Sequence, residues 1–448
     1  MTEKNIESEK AAQVADEPPG TNAVRHSVED EEPPSLPIIK TGRNRIFASV
    51  PEENWNDWRW HFRNRITKVE ELAKLVPLSA QEQRNVELVT KKYPLAITPY
   101  YLSLINFNDP DDPVRTQAIP SFREIACSGA GYEDPLEEKR HSVVPGLVHR
   151  YQDRVLMVLT DICPMLCRHC TRKREWHKGT WVRTTEEVKK MLEYIRLHDE
   201  VRDVILSGGD PLTLPTSRLE EIIAQLRQIE HVDIIRIGSR FPVVLPQRID
   251  SELCDMLSQY GPIWLNTHFN HPHEVTPESA RACERLVRAG VPVNNQSVLL
   301  RGVNDSVAIQ TELCQRLLKI RVRPYYLFQC DSVRGTEYLH TPVETGIKIM
   351  EGMRGRTSGL AIPTYIIDLP QGGGKVPLLP QYIMARTKDE IVLRNCQGHV
   401  FHYHNPDGSN SNNNGKKVKA RRPRSINRDG QLILPVGVVD ENRAVVRS

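Results

Sequence analysis

No apolar run in the 448-residue sequence approaches the ~18–20 residues that a membrane span needs. A secretory signal is also missing, so the nine cysteines are expected as free thiols in a reducing, cytoplasmic setting. Charge of one sign is scarce. Sixty Lys and Arg against 57 Asp and Glu leave a net +3, which argues against a dominant nucleic-acid or membrane partner. Residues 1–38 are acidic and hold few large apolar groups, and the segment to residue 45 reads as a disordered acidic arm. The basic stretch Lys416–Arg424 has no interleaved aromatics and follows the polar run Asn410–Asn414. Residues 406–448 therefore read as a solvated tail rather than a nucleic-acid surface, with a short strand at Leu432–Val439. What lies between is long enough for one catalytic domain with terminal decorations.

The present features begin with periodicity. Trp55, Trp58, Phe62 and Ile66 recur at helical spacing, so a helix is expected there with these side chains packed inward. Ala80–Lys91 reads as a second helix with Ser79 as its N-cap, inside a helical extension over 46–150. Residues 93–120 read as connecting structure, and His141–Gly146 leads into the first strand. From Arg154 short apolar runs alternate with amphipathic stretches. Strands are expected at Val155–Leu159, Asp203–Leu206, Asp233–Ile237, Pro262–Asn266, Val291–Leu299, Val322–Phe328 and Thr364–Ile367. Helices are expected at Thr185–Leu197, Ser217–Ile229, Ser251–Gln259, Pro277–Ala289, Ser306–Lys319 and Val343–Arg354. Repeated βα units of this kind form an α/β fold, a parallel sheet closed or partly closed into a barrel. Catalytic groups belong at the C-terminal ends of its strands.

Directly after the first of those strands, Cys163, Cys167 and Cys170 form C-x3-C-x2-C, with no fourth cysteine nearby. Three thiolates so close can hold three irons of a cubane [4Fe–4S] cluster, leaving the fourth iron open to another ligand. A zinc knuckle short of one ligand and three buried cysteines are the competing readings. Zinc sites usually repeat cysteine pairs or add a His pair, and His169 between two of the cysteines makes neither pattern. The motif resembles that of the radical S-adenosylmethionine (radical SAM) superfamily, in which SAM occupies the open iron. Ser207, Gly208, Gly209 and Asp210 end the second strand and resemble the segment that cradles the methionyl amine. His169 fills the place where that superfamily sets a ring against the adenine. His268 and Gln296, at later strand ends, either contact SAM or are satisfied core polar groups.

A second signature is Asp368-Leu-Pro-Gln-Gly-Gly-Gly-Lys375. A Walker A loop needs Ser or Thr after the lysine, and Val376 stands there. A Schiff-base lysine for pyridoxal phosphate (PLP) and a flexible surface loop both remain open. Together with Trp264–Asn270 and Arg321–Tyr326, these motifs resemble the lysine 2,3-aminomutase family from about Glu52 to Asn405. The resemblance implies a partial (βα)6 barrel over 151–340 and a C-terminal PLP-binding segment over 341–405. It also implies a [4Fe–4S] cluster, SAM, PLP and an isomerase moving an amino group on a free amino acid. On it Lys375 is the PLP lysine, Tyr151 and Arg154 hold PLP, and Arg172 pairs with the substrate α-carboxylate. Asp331 and Asp368 stand where lysine-directed relatives receive the ε-ammonium, so L-lysine is the expected substrate. Arginine, ornithine, glutamate, a protein-bound lysine, or a non-catalytic iron–sulfur or nucleic-acid-binding role are the alternatives. A homo-oligomer and a flavodoxin- or ferredoxin-type electron donor are implied as well. Two departures stand out. Gln371 replaces the first glycine of the family's run and is strained if that position needs φ > 0. The tail holds only Cys396 where some relatives bind zinc, so no zinc is expected.

Overall fold

The computed structural model describes residues 43–126, 129–176 and 179–405. The acidic arm, the basic tail and the expected strand at Leu432–Val439 lie outside the described residues. The chain divides into two compact units, the first running to residue 381 and taking in residues 396–398.

At the centre of the first unit stand seven parallel strands. They are β3 (Arg154–Val158), β4 (Asp203–Ser207), β5 (Ile234–Gly238), β6 (Ile263–Thr267), β7 (Val293–Leu299), β8 (Val322–Gln329) and β9 (Thr364–Leu369). Helices Thr185–Arg196, Thr216–Arg227, Ser251–Gln259, Pro277–Arg288, Val307–Lys319 and Val343–Met353 make the six crossovers. Several begin on side-chain caps: Thr184 and Glu187 form a reciprocal capping box, and Asp250 and Ser306 accept from backbone N–H groups. Antiparallel strands β1 (Ser142–Val144) and β2 (Leu147–Tyr151) extend the sheet before β3, and β10 (Gly374–Pro377) extends it after β9. Among the described residues β1 and β10 are not paired with each other, so the barrel is partial.

Alternation along the strands divides core from lumen. Val155, Met157, Val204, Leu206, Ile235 and Ile237 are almost fully buried and share one core with Val188, Leu192, Leu219 and Ile223 of the helices. Each such side chain contributes about 1.5–3 kcal/mol of burial. Their neighbours Leu156, Ile205 and Arg236 instead line a central cavity. The register of β7 against β8 shifts between Asn295 and Gln296, leaving Tyr325 as an extra residue on β8. That bulge turns both Tyr325 and Tyr326 into the cavity, with their rings stacked at 3.8 Å.

The N-terminal extension departs from expectation at its start. The Trp55–Ile66 stretch is not one helix but two, Glu52–Asn56 and Trp58–Arg63. Asp57 interrupts them with extended backbone, and its carboxylate accepts from the N–H groups of Arg59 at 2.9 Å and Trp60 at 3.1 Å. Capping outweighed periodicity here. The four residues still pack inward, Ile66 through a strand-like bridge to Ile97. Helix Ala80–Thr90 carries the expected Ser79 cap. The stretch read as connecting structure contains short helices and the fully buried Tyr100 and Tyr101.

The described part of the second unit is an antiparallel sheet of β11 (Ile383–Arg386), β12 (Glu390–Arg394) and β13 (Val400–His404), which the sequence reading did not contain.

A candidate active site in the barrel lumen

The loop after β3 brings Cys163, Cys167 and Cys170 to the wall of a cavity of about 420 Å³. Burial, then the neighbouring thiols, push the pKa of Cys163 and Cys170 up. Three thiolates can share this place only beside compensating cations, which an iron cluster supplies. Among the described residues no three His, Cys, Asp or Glu side chains converge on one ion, and thiolates bound to three different irons need not. Cys167 Sγ accepts a hydrogen bond from Arg240 Nη1 at 2.8 Å, and Cys170 Sγ accepts from the Arg172 N–H at 3.3 Å.

The loop is pinned from outside by a buried ion cluster. Arg168 pairs with Glu124 at 2.6 Å and donates to the carbonyls of Pro94 at 2.8 Å and Tyr93 at 3.3 Å. Lys173 reaches the same Glu124 at 2.7 Å. On the inner side, Gly208 and Gly209 follow β4. A Cβ on Gly208 would stand 2.3 Å from the Thr160 carbonyl oxygen, and one on Gly209 2.4 Å from that of Ile162. The crowding that demands glycine thus comes from the cysteine loop, not from the ligand that the sequence reading invoked. Asp210 is likewise engaged: its carboxylate accepts from the N–H groups of Leu212 at 3.1 Å and Arg240 at 2.8 Å and from Ser239 Oγ at 3.1 Å. Burial raises its pKa to about 7. It therefore ties β4 to β5 rather than waiting open for an ammonium. Ser207, His169, His268 and Gln296 all line the cavity. His169 leaves Nδ1 buried without a hydrogen-bond partner. His268 donates from Nδ1 to the Gln296 carbonyl at 2.9 Å, and burial lowers its pKa to about 4, so its ring is neutral.

At the other end of the cavity Lys375 on β10 lies opposite Asp368 on β9 and donates to its Oδ2 at 2.7 Å. Asp368 is also ion-paired with Arg150 of β2, whose Nε is buried and unpartnered. Tyr151 Oη accepts from the Lys375 N–H at 3.1 Å and from Arg150 Nη2 at 3.1 Å. Arg154 pairs with Asp153 at 2.9 Å and lies over the Tyr151 ring at 5.1 Å. The turn between the two strands holds Gln371 at φ +57°, beside Gly372 at +72° and Gly374 at +90°. Gln371 thus occupies the left-handed region at a cost of about 1–2 kcal/mol, which a glycine would avoid.

Two expected substrate contacts are placed differently from the sequence reading. Arg172 lines the cavity, but it does not present an open fork: Nε and Nη2 are taken by Glu138 at 3.0 and 2.6 Å, and Nη1 by the Gly208 carbonyl at 2.6 Å. Burial would raise the Glu138 pKa, yet Arg172 and Arg174 bring it down to about 2. Asp331 follows β8, outside the cavity lining given by Asp368 and Lys375. Burial, and then the charge of Asp368, raise its pKa to about 7, so the two carboxylates feel each other.

Comparison with known proteins agrees with this geometry. Residues 157–311 match the model of the radical SAM superfamily, and residues 350–432 match that of lysine-2,3-aminomutase. The L-lysine 2,3-aminomutase of Clostridium subterminale is 52% identical over 410 residues, covering 90% of this chain and 99% of that protein. The chain belongs to the lysine 2,3-aminomutase family. The L-lysine 2,3-aminomutase of Fusobacterium nucleatum is 53% identical over 365 residues, 82% of this chain and 86% of that protein. The glutamate 2,3-aminomutase of Clostridioides difficile is 45% identical over 350 residues, 78% and 83% of the two chains.

As a lysine 2,3-aminomutase family member the protein is a radical SAM isomerase that uses a [4Fe–4S] cluster, SAM and PLP, acts on an amino acid and needs reductive activation. The residues present fit these groups. Three half-buried cysteines suit the cluster, the unpartnered Nδ1 of His169 suits a polar ligand, and the unpartnered Nε of Arg150 suits an anion beside Lys375. Sequence reasoning missed Arg240, Arg150, Glu138 and Glu124. Arg240 follows β5 directly, so the rule that chemistry sits at strand ends could have found it. Arg150 lay inside the His-Arg-Tyr-Gln-Asp-Arg stretch already singled out. Glu138 and Glu124 carry no local signal; only the fold brings them to the loop. No helix among the described residues is long and apolar enough to cross a membrane.

Proposed function

We propose that the enzyme moves the α-amino group of L-lysine to C3, giving L-β-lysine. The observation that carries the substrate choice is Asp368 paired with Lys375, with Asp331 close enough to feel the charges of both. Asp368 already balances two cations, Arg150 and Lys375, while among the described residues no hydrogen bond or ion pair reaches the Asp331 carboxylate. That leaves the Asp331 carboxylate as the one without a cation of its own. A substrate ammonium restores the balance, whereas a glutamate side chain adds a third anion to a confined space.

Cys163, Cys167 and Cys170 hold the cluster in this reading, His169, Ser207, His268 and Gln296 frame SAM beside the turn at 208–210 that braces the cysteine loop, and Lys375, Tyr151 and Arg154 hold PLP. When bound, the cluster and SAM supply the carbon radical that exchanges hydrogen with C3, and PLP supplies the π-system through which nitrogen moves. The chain's own task is to orient and to exclude water. Arg172, held by Glu138 and the Gly208 carbonyl, sets a fixed positive charge in the cavity wall for the substrate carboxylate, and the stacked Tyr325 and Tyr326 close the wall on β8. Lys375 Nζ is held on Asp368 at 2.7 Å, and Tyr151 Oη accepts from its backbone N–H. The resemblance further supports a homo-oligomer, a flavodoxin- or ferredoxin-type reductant and a cytoplasmic setting. The test uses Asp331→Ala in cluster-loaded, PLP-loaded enzyme. Lysine turnover should fall steeply while SAM cleavage without substrate persists; equal loss of both activities would refute the assignment.

A further inference from the structure

Arg240 is the one guanidinium in the structure that donates directly to a cysteine thiol, Cys167 Sγ at 2.8 Å, among the described residues. Its orientation is imposed by groups that belong to neither the cysteine loop nor the cavity contents. Nε donates to the His268 carbonyl at 3.1 Å, and Nη2 to Gln117 Oε1 at 2.6 Å and Glu274 Oε1 at 2.8 Å. Glu274 is fixed in turn by the Tyr101 hydroxyl at 2.6 Å, and Gln117 accepts from Asn270 Nδ2 at 2.9 Å. Arg240, Glu274 and Tyr101 are buried, so water does not screen the charge. The other two cysteines are treated differently. Cys170 receives a backbone N–H at 3.3 Å, and no hydrogen bond to Cys163 Sγ is present among the described residues.

A donor on a cluster sulfur stabilises the more negative, reduced state, and a full positive charge does so more strongly. We propose that Arg240 is a positioning residue that tunes the cluster through Cys167, raising its reduction potential and making the iron held by that cysteine unlike the other two. This rests on the assignment of the three cysteines to the cluster. Loss of the guanidinium should lower the reduced-to-oxidised ratio at fixed potential by about tenfold, or about 59 mV for a one-electron couple.

The experiment is a redox titration of reconstituted full-length protein without SAM, followed by electron paramagnetic resonance, with iron and sulfide counted on each sample. Arg240→Gln should keep four irons and titrate at a lower midpoint. Glu274→Gln removes the carboxylate that offsets the guanidinium and should move the midpoint the opposite way. A merely structural role gives no such reversal of sign. Should Arg240→Gln fail to load, the Glu274→Gln shift decides alone. Midpoints equal to the parent in four-iron samples overturn the proposal, including the case in which Arg240→Gln changes only SAM affinity. Failure of the parent protein itself to bind four irons would instead remove the cluster assignment.

Discussion

The cysteine end of the cavity and the lysine end differ in how fully their charges are matched. Around the cysteines, Arg168, Lys173 and Glu124 satisfy one another in a buried cluster, and Arg240 is fixed by four acceptors. Around Lys375 the side chain is 34% exposed, the turn strains Gln371, and Asp331 carries a raised pKa. The first end stands on the parallel strands of the barrel and on the N-terminal helices. The second is built on β10, an antiparallel addition at the sheet's margin. The difference assigns rigidity to radical generation, where a small displacement misdirects a reactive group, and leaves matched charge to be completed by the substrate.

The largest break in the comparison comes from the ligands themselves. Cys167→Ala should abolish turnover and the iron–sulfur absorption near about 400 nm. Lys375→Ala should remove PLP absorption while leaving that iron–sulfur band. If either substitution removes both signals, the two ends are not separable. Next comes stability. Glu124→Gln leaves Arg168 and Lys173 buried around a neutral group, and removing one partner of a buried pair costs about 3–5 kcal/mol. Thermal unfolding should show a clear drop for Glu124→Gln and a smaller one for Asp331→Ala, whose carboxylate breaks no ion pair; the reverse order would dissolve the contrast.

The smallest expected effect concerns pH. The Asp331 carboxyl titrates at about 7 in the free site, so it is largely protonated below that value and ionised above it. Only the ionised form pairs with the ε-ammonium. KM for lysine should therefore rise as pH falls through about 7, and this dependence should flatten in Asp331→Asn. A pH-independent KM in the parent enzyme would remove Asp331 from the substrate contacts.

Much of the barrel was legible because alternation of period 2 and period 3.6 is written locally. The helix Ser251–Gln259 agrees with its expected bounds, and the seven parallel strands agree within two residues at each end. Asp57 shows where local reading fails: a cap competes with a periodic face, and periodicity alone does not rank them. The cysteines and Lys375 were legible because their chemistry depends on spacing. Glu138, Glu124 and Arg240 act through contacts made across 34 to 73 residues, and no short pattern encodes those. Strands β1 and β2 were missed because β1 spans only three residues and His149 and Arg150 interrupt the apolar pattern of β2.

The substrate is the claim on which the lysine end depends, and one competition tests it. Enzyme reconstituted with iron, sulfide and PLP, given SAM and dithionite, is offered equal concentrations of L-lysine, L-arginine, L-ornithine, L-glutamate and L-alanine, and the β-amino acids formed are quantified. L-lysine consumed first, with L-β-lysine as the main product, is the expected result. L-glutamate or L-alanine turning over ahead of L-lysine would contradict the pairing of Asp331 and Asp368 with a cationic side chain.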